Sequence, residues 1–300
     1  MKLGIIGLGR MGASIAWRAL QAKHEVIGFD LDAKNVSEAR ELGVHIVSTI
    51  ADVAQSASII WIMVPAGDPV DQVITQLRPH VQSDAIIIDG GNSHYPDSIR
   101  RAKELEIDNI YYLDCGTSGG LRGRVEGFSL MIGGNKNAYE KIIPLCDAIA
   151  APQGYALVGP SGAGHYVKMV HNGIEYALLQ SYAEGFQLIK EGSFKDDNLD
   201  LEQITYVWMH GSVIRSWLLE LAHDVFKDDQ TLDTISGAVG DNGTGKWTID
   251  DAHAHNVPVA LIEKSMDIRV WSRLSGGNYA TKVIAMIRNK FGGHPFGKVK

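Results

Sequence analysis

A lysine, a histidine, an asparagine and a glutamate follow one another at steps of three, one and three: Lys168, His171, Asn172 and Glu175. On an α-helix, at ~100° per residue, positions i, i+3, i+4 and i+7 share one face. Such a stripe is ordinarily apolar and packs on a core. Here Val167, Met169, Val170 and Ile174 lie elsewhere on the wheel. An amine, an imidazole, an amide and a carboxylate on one face are the parts of an acid–base site.

A second constellation opens the chain. Gly7-Leu8-Gly9-Arg10-Met11-Gly12 is a G-x-G-x-x-G run between a strand-like and a helix-like segment. The first glycine permits a tight turn, the second lets backbone approach a pyrophosphate, and the third lets helix and strand pack closely. Asp30 ends the next strand-like run, about twenty residues on, where an acid accepts the ribose hydroxyls of a dinucleotide. Leu31 and Asp32 follow it and no arginine does, which favours NAD over NADP. Val64 and Asn92, at the ends of later strands, are further expected cofactor contacts. Gly90-Gly91-Asn92-Ser93 and Asp114-Cys115-Gly116-Thr117-Ser118-Gly119-Gly120 are expected to form loops at the cofactor crevice, since ligands in open α/β sheets bind beyond the carboxyl ends of strands. Ser118 with the amides of Gly119 and Gly120 makes an anion-accepting turn.

The elements that hold these residues fall into two kinds. The runs 3–6, 25–29, 59–64, 85–89 and 111–114 are short and apolar with helical sequence between most of them, which implies βαβ units and a mostly parallel sheet. After Gly159-Pro160-Ser161-Gly162 the stretches 166–190, 201–221 and 257–274 are long and amphipathic. The expectation is a Rossmann α/β domain over 1–162, an all-α domain over 163–287, and a tail over 288–300 in which Gly292-Gly293 and Pro295 end the helical pattern. With 45% hydrophobic and 21% charged residues, the chain is that of an ordinary soluble globular protein. A net charge of −7 without a broad basic run argues against nucleic-acid and membrane partners. Cys115 and Cys146 read as buried free thiols in a reducing, cytoplasmic setting. In the run 250–255, His253 and His255 are two apart and diverge on a helix, so no metal is expected. Trp208, Trp217 and Trp271 are expected in the core or at a subunit interface.

The Gly-rich loop, the GGNS turn, the Ser-Gly-Gly turn and the lysine helix together resemble the β-hydroxyacid dehydrogenases. The helix His165-Tyr166-Val167-Lys168-Met169-Val170-His171-Asn172-Gly173-Ile174-Glu175-Tyr176 resembles the 6-phosphogluconate dehydrogenase family in particular. So do Gly243-Thr244-Gly245-Lys246-Trp247-Thr248 and the ending Arg288-Asn289-Lys290-Phe291-Gly292-Gly293-His294. The length is that of the short bacterial type. The resemblance covers residues 1–294 and implies oxidative decarboxylation of 6-phosphogluconate to ribulose 5-phosphate with NAD, without a metal. It implies Lys168 as general base and acid, Glu175 as the acid that protonates the enediol, and His171 and Asn172 as substrate-holding groups. By the same resemblance Asn92, Ser118, Gly119, Gly120, Tyr176, Lys246 and Arg269 bind the substrate. Arg288 and His294 would come from the tail of a second subunit, so a homodimer or a dimer of dimers is expected. Two other readings stand beside it: another β-hydroxyacid dehydrogenase, acting on 3-hydroxyisobutyrate or tartronate semialdehyde, and a non-catalytic NAD-binding protein.

Overall fold

The computed structural model describes residues 1–241 and 243–299. The chain forms two compact units, Met1–Met169 and Val170–Lys300.

In the first unit, strands β1 (Lys2–Ile6), β2 (Glu25–Phe29), β3 (His45–Ile46), β4 (Ile59–Ile62) and β5 (Ile86–Asp89) alternate with five helices. These are α1 (Arg10–Gln21), α2 (Ala33–Glu41), α3 (Ile50–Ser56), α4 (Asp68–Leu77) and α5 (Tyr95–Glu106). Next come β6 (Tyr111–Ser118), the single turn α6 (Gly123–Glu126), β7 (Phe128–Gly134), α7 (Lys136–Ile149) and β8 (Ala150–Gly159). One sheet results, in the order β3-β2-β1-β4-β5-β6-β7-β8. Strands β1 to β6 run parallel, β7 is antiparallel to β6, and β8 is parallel to β7. A central parallel strand is covered on both faces, and β4 is buried at all four positions. Its Ile59 and Trp61 join Ile15, Ala16 and Leu145 on one face. Ile60 and Ile62 join Val53, Val70 and Leu77 on the other.

The sheet extends beyond the expected strands. β6 continues through Ser118, so Asp114–Ser118 is strand and not loop, and β7 and β8 add two strands that the apolar runs did not signal. The reason is pairing: Asp114 to Ser118 lie in register with Gly133 to Ser129 of β7, which satisfies backbone groups a loop would leave open.

Helix α8 (Ala163–Glu191) opens the helical part and carries the division between the units within it. It is followed by α9 (Leu201–Met209), α10 (Trp217–Asp228), α11 (Thr244–Ala254), α12 (Ala260–Ser275) and α13 (Tyr279–Gly292). Leu179, Phe186, Leu219, Phe226, Val283 and Ile287 form the core of the second unit. The stretch 201–221 is two helices, not one: Gly211 takes φ +96, and the Ser216 hydroxyl accepts from Leu219 N to start α10. Trp208 stacks on Phe186 of this core.

The end of the chain also departs from expectation. Arg288 lies inside α13 and is buried, not in a free tail, because the helix runs on until Gly293 closes it at φ +60. Beyond it, Ser236 N donates to Gly297 O and Val299 N to Thr234 O, both at 2.9 Å. The tail thus pairs with its own chain; Lys300, its last residue, lies outside the described residues. Among the described residues, no helix is long and apolar enough to cross a membrane.

Candidate active site

The Gly-rich loop joins β1 to α1. Gly7 stands at φ +94, and a Cβ there would meet the Met63 carbonyl oxygen at 2.6 Å. A Cβ on Gly12 would come within 1.9 Å of the Gly7 carbonyl oxygen, so the first turn of α1 lies against the strand end only because both positions are glycine. Gly9 has open space where its Cβ would be and leads directly into the N-terminus of α1. Open backbone at a helix N-terminus fits a pyrophosphate. Leu8 turns its side chain into the core and offers only backbone, and Arg10 is exposed. Asp30, just past β2, accepts from Leu8 N at 2.5 Å and from Asp32 N at 2.8 Å. The acid therefore holds the Gly-rich loop through Leu8. Val64 follows β4 between that loop and the Gly90-Gly91 turn, close to the Cβ positions of Gly7 and Gly91.

The GGNS turn is braced from below and from the side. Asp89, wholly buried at the end of β5, accepts from Ser93 Oγ at 2.7 Å, Tyr112 Oη at 2.8 Å and Gly91 N at 3.0 Å, with Arg101 3.4 Å away. A buried carboxylate is tolerable only when satisfied in this way. Asn92 adopts φ +53, and its amide is committed to the Thr117 backbone, accepting from N at 2.8 Å and donating to O at 3.1 Å. The expected ligand contact of Asn92 is therefore, in its side chain, a tie between the turn and β6. Ser118 ends β6, and Gly119 and Gly120 follow at φ +134 and +51.

Lys168 is positioned by the same strand. The Asp114 carboxylate, also wholly buried, accepts from Gly162 N at 2.6 Å and His165 N at 2.8 Å, capping the start of α8 from a distant strand. A carboxylate is favoured at a helix N-terminus. One turn on, the stem of Lys168 lies over Gly116, and the residue is 7% exposed. Cys115 and Cys146 are free and buried, and burial pushes both thiols up, Cys146 to about 12, which leaves neither as a nucleophile. A cavity of about 650 Å³ in this unit lies at the opposite strand ends, beside Asp84, Tyr111 and Asn135. It contains none of the candidate residues.

In the second unit the Gly243–Thr248 segment docks on α8. Gly243 turns at φ +85 into α11, Thr244 Oγ1 accepts from Asn172 Nδ2 at 3.1 Å, and a Cβ on Gly173 would meet Thr248 at 2.9 Å. A Cβ on Gly245 would meet the Tyr176 ring at 2.7 Å. The Asn172 Oδ1 in turn lies 3.1 Å from His171 Nδ1. Helix α12 then brings Arg269 over Tyr176, its guanidinium carbon 3.4 Å from the ring centre. Arg269 is 1% exposed, and neither terminal nitrogen has a hydrogen-bond partner among the described residues. Burial, with the charge of Arg288 adding to it, pulls Arg269 down to about 10; Tyr176, Glu175 and Asp241 oppose the shift. Arg288, on α13, is likewise lowered by burial and feels Tyr176, Glu175 and Asp241. Within its own chain Arg288 thus lies near Tyr176, Glu175 and Asp241, carried there by α13.

Two further expected substrate residues have other partners. Lys246 is exposed on α11 and pairs with Asp250 at 2.5 Å. His294 packs edge-on against Phe291, and its carbonyl accepts from Asn289 Nδ2 at 3.0 Å. Conversely, Asp89 and Asp241 neighbour the candidate residues and were not singled out by the sequence, while Asp114 and Gly116, expected in a loop, lie in β6 and brace α8. The one available signal was that Asp89 and Asp114 each end an apolar run with an acid.

Residues 2–166 match the family model for the NAD binding domain of 6-phosphogluconate dehydrogenase, and residues 164–294 match that for the 6-phosphogluconate dehydrogenase C-terminal domain. The chain is 46% identical over 299 residues, 98% of each partner, to a Haloferax volcanii protein named 6-phosphogluconate dehydrogenase, NAD(+)-dependent, decarboxylating. It is 39% identical, again over 98% of each, to a putative 6-phosphogluconate dehydrogenase of Bacillus subtilis. A solved Plasmodium falciparum 6-phosphogluconate dehydrogenase, described with its cofactor NADP+ and its substrate 6-phosphogluconate, superposes with a TM-score of 0.84 at 30% identity. That match covers 91% of this chain and 62% of the other. With both halves matched and full-length relatives above 30% identity, the chain belongs to the 6-phosphogluconate dehydrogenase family.

Proposed function

We propose that the protein oxidises 6-phospho-D-gluconate at C3 and decarboxylates it to D-ribulose 5-phosphate and CO2. The observation that carries this reading is the buried guanidinium of Arg269, beside Tyr176 and Arg288, whose two terminal nitrogens have no hydrogen-bond partner among the described residues. A buried cation without a partner is costly, and a phosphate monoester supplies the missing oxygens in a fork geometry. Small unphosphorylated hydroxy acids give no use for it.

Bound NAD supplies the hydride acceptor. Lys168, as the free amine, takes the C3 hydroxyl proton as the hydride leaves C3. As an ammonium it then returns that proton to the C3 oxygen while the carboxylate departs as CO2, which leaves an enediol. Glu175, two turns further along α8, donates a proton to C1 of the enediol as Lys168 takes one from the hydroxyl. The keto product results, and proton exchange from Lys168 to Glu175 by way of solvent resets both groups. Asn172, fixed by Thr244, and His171 hold the sugar-acid hydroxyls.

NAD is the preferred cofactor on this reading. An acid at Asp30, after β2 and bonded to the Gly-rich loop, favours ribose hydroxyls over a 2′-phosphate, and the Haloferax relative carries NAD dependence in its name. The second unit exposes Leu188, Val207 and Leu274, which supports burial against a second copy of the chain. The deciding experiment is NADH formation with 6-phosphogluconate, gluconate and 3-hydroxyisobutyrate side by side. Turnover of the phosphorylated substrate alone supports the assignment; preference for 3-hydroxyisobutyrate overturns it.

A further inference from the structure

The two buried arginines of the second unit have a carboxylate close by that could neutralise them in advance. Asp241 attracts both Arg269 and Arg288, yet Arg269 keeps two nitrogens without a hydrogen-bond partner among the described residues. A carboxylate in that position is a rival to a phosphate: it offers an internal counter-charge and repels an incoming anion.

Its oxygens, however, are already committed. Asp241 Oδ2 accepts from Arg273 Nη1 at 2.8 Å, and Oδ1 accepts from Gly243 N at 3.1 Å. The same Arg273 nitrogen donates to the Val239 carbonyl at 3.0 Å. Arg273 stands one turn beyond Arg269 on α12, at the i, i+4 spacing that places both on one face. Ser272 completes the attachment: its Oγ donates to Arg269 O at 2.7 Å and accepts from Val239 N at 3.1 Å. The strand of loop that carries Asp241 is thus stapled to the very turn of α12 that carries the buried arginine.

We propose that Arg273 is a positioning residue of the phosphate site: it holds and neutralises the Asp241 carboxylate, which otherwise turns to Arg269 and Arg288 and competes with a phosphate monoester. The proposal rests on the reading above in taking Arg269 and Arg288 as the phosphate clamp. Arg273 itself need not touch the ligand. Its effect is on affinity, and it comes through Asp241.

Charge and structure predict opposite signs for one variant, so binding distinguishes them. Titration calorimetry on the whole unliganded protein, with inorganic phosphate and with 6-phosphogluconate, gives the affinities; steady-state NADH formation gives KM and kcat. R273M should weaken both ligands by about tenfold, with KM following and kcat moving far less. R273K, which keeps the charge, should remain within about twofold of the parent. D241N should bind phosphate more tightly than the parent, and R273M/D241N should recover most of the loss. If the pair were only a structural staple, D241N would weaken binding as R273M does and the double variant would recover nothing; that result overturns the proposal. Absence of phosphate binding by the parent protein overturns it too. If the parent binds phosphate but does not oxidise 6-phosphogluconate, the assignment of the reaction fails, while the phosphate titrations still decide the role of Arg273.

Discussion

A Cβ on Gly116 would stand 2.4 Å from the Cβ of Lys168 and 2.7 Å from the Gly164 carbonyl oxygen. Lys168 is therefore seated directly on the backbone of β6, with no side chain between strand and helix. Gly116→Ala should displace the start of α8 and lower stability by roughly 1–3 kcal/mol, the usual penalty of overpacking. NAD affinity should change little while kcat falls. Thermal unfolding and a dinucleotide titration, set beside turnover, check this. An alanine variant with parental kcat would show that the lysine tolerates the shift.

Lys168 and Glu175 should separate kinetically. Lys168→Ala should slow single-turnover NADH formation by about 10⁴-fold or more, the upper end of general-base loss, because support of the enolate oxygen is removed as well. Glu175→Gln should leave the first NADH-forming event nearly intact. It should slow ribulose 5-phosphate appearance by roughly 10²-fold or more. Rapid-quench analysis of both products in one experiment reads the difference; identical delays for the two would remove Glu175 from the protonation step.

Arg269 is a site where stability and function oppose each other. Its conjugate acid is pulled down to about 10, first by burial, so the charged form is less favoured in the fold than in the unfolded chain. The sign follows: the penalty is fully present at neutral pH and is relieved only as pH rises through about 10. Arg269→Met should accordingly raise the stability of the unliganded protein by about 1–2 kcal/mol. It should also raise KM for the phosphorylated substrate by roughly 100-fold. Urea unfolding at pH 7 without ligand tests the first half, and a destabilised variant would contradict it.

On the proposed reading, Asp30 links cofactor choice to loop order. Asp30→Asn keeps an acceptor for Leu8 N but removes the charge that repels a 2′-phosphate. The ratio of KM for NADP to KM for NAD should fall by about tenfold, and NAD should weaken by a smaller factor. Competitive titrations with the two dinucleotides measure it. An unchanged ratio would place the discrimination elsewhere.

The motifs were legible because each is local. G-x-G-x-x-G, the acid at Asp30 and the polar stripe from Lys168 to Glu175 need only a strand, a turn and a helical period to make sense. What escaped was set by pairing across the chain. Asp114 caps a helix 48 residues later at Gly162, and Asp241 meets Arg273 across 32 residues. No spacing rule reaches that far. The continuation of β6 to Ser118 depended on β7, a strand whose Gly133 and Gly134 weaken its own signal. Arg288 looked like tail because Gly292, Gly293 and Pro295 follow it. The helix nonetheless persists to Gly292, since Ala285 and Ile287 still have a core to fill.

The two thiols have a consequence for how the protein meets oxidative stress. Cys115 and Cys146 are the only cysteines in the chain, both are shut away from solvent, and burial pushes both thiols up, toward the less reactive protonated form. Peroxide and disulfide carriers find no sulfhydryl to modify in the folded protein. Reduction of nicotinamide by this protein should therefore be less sensitive to thiol oxidants than that by dehydrogenases with an exposed catalytic thiol.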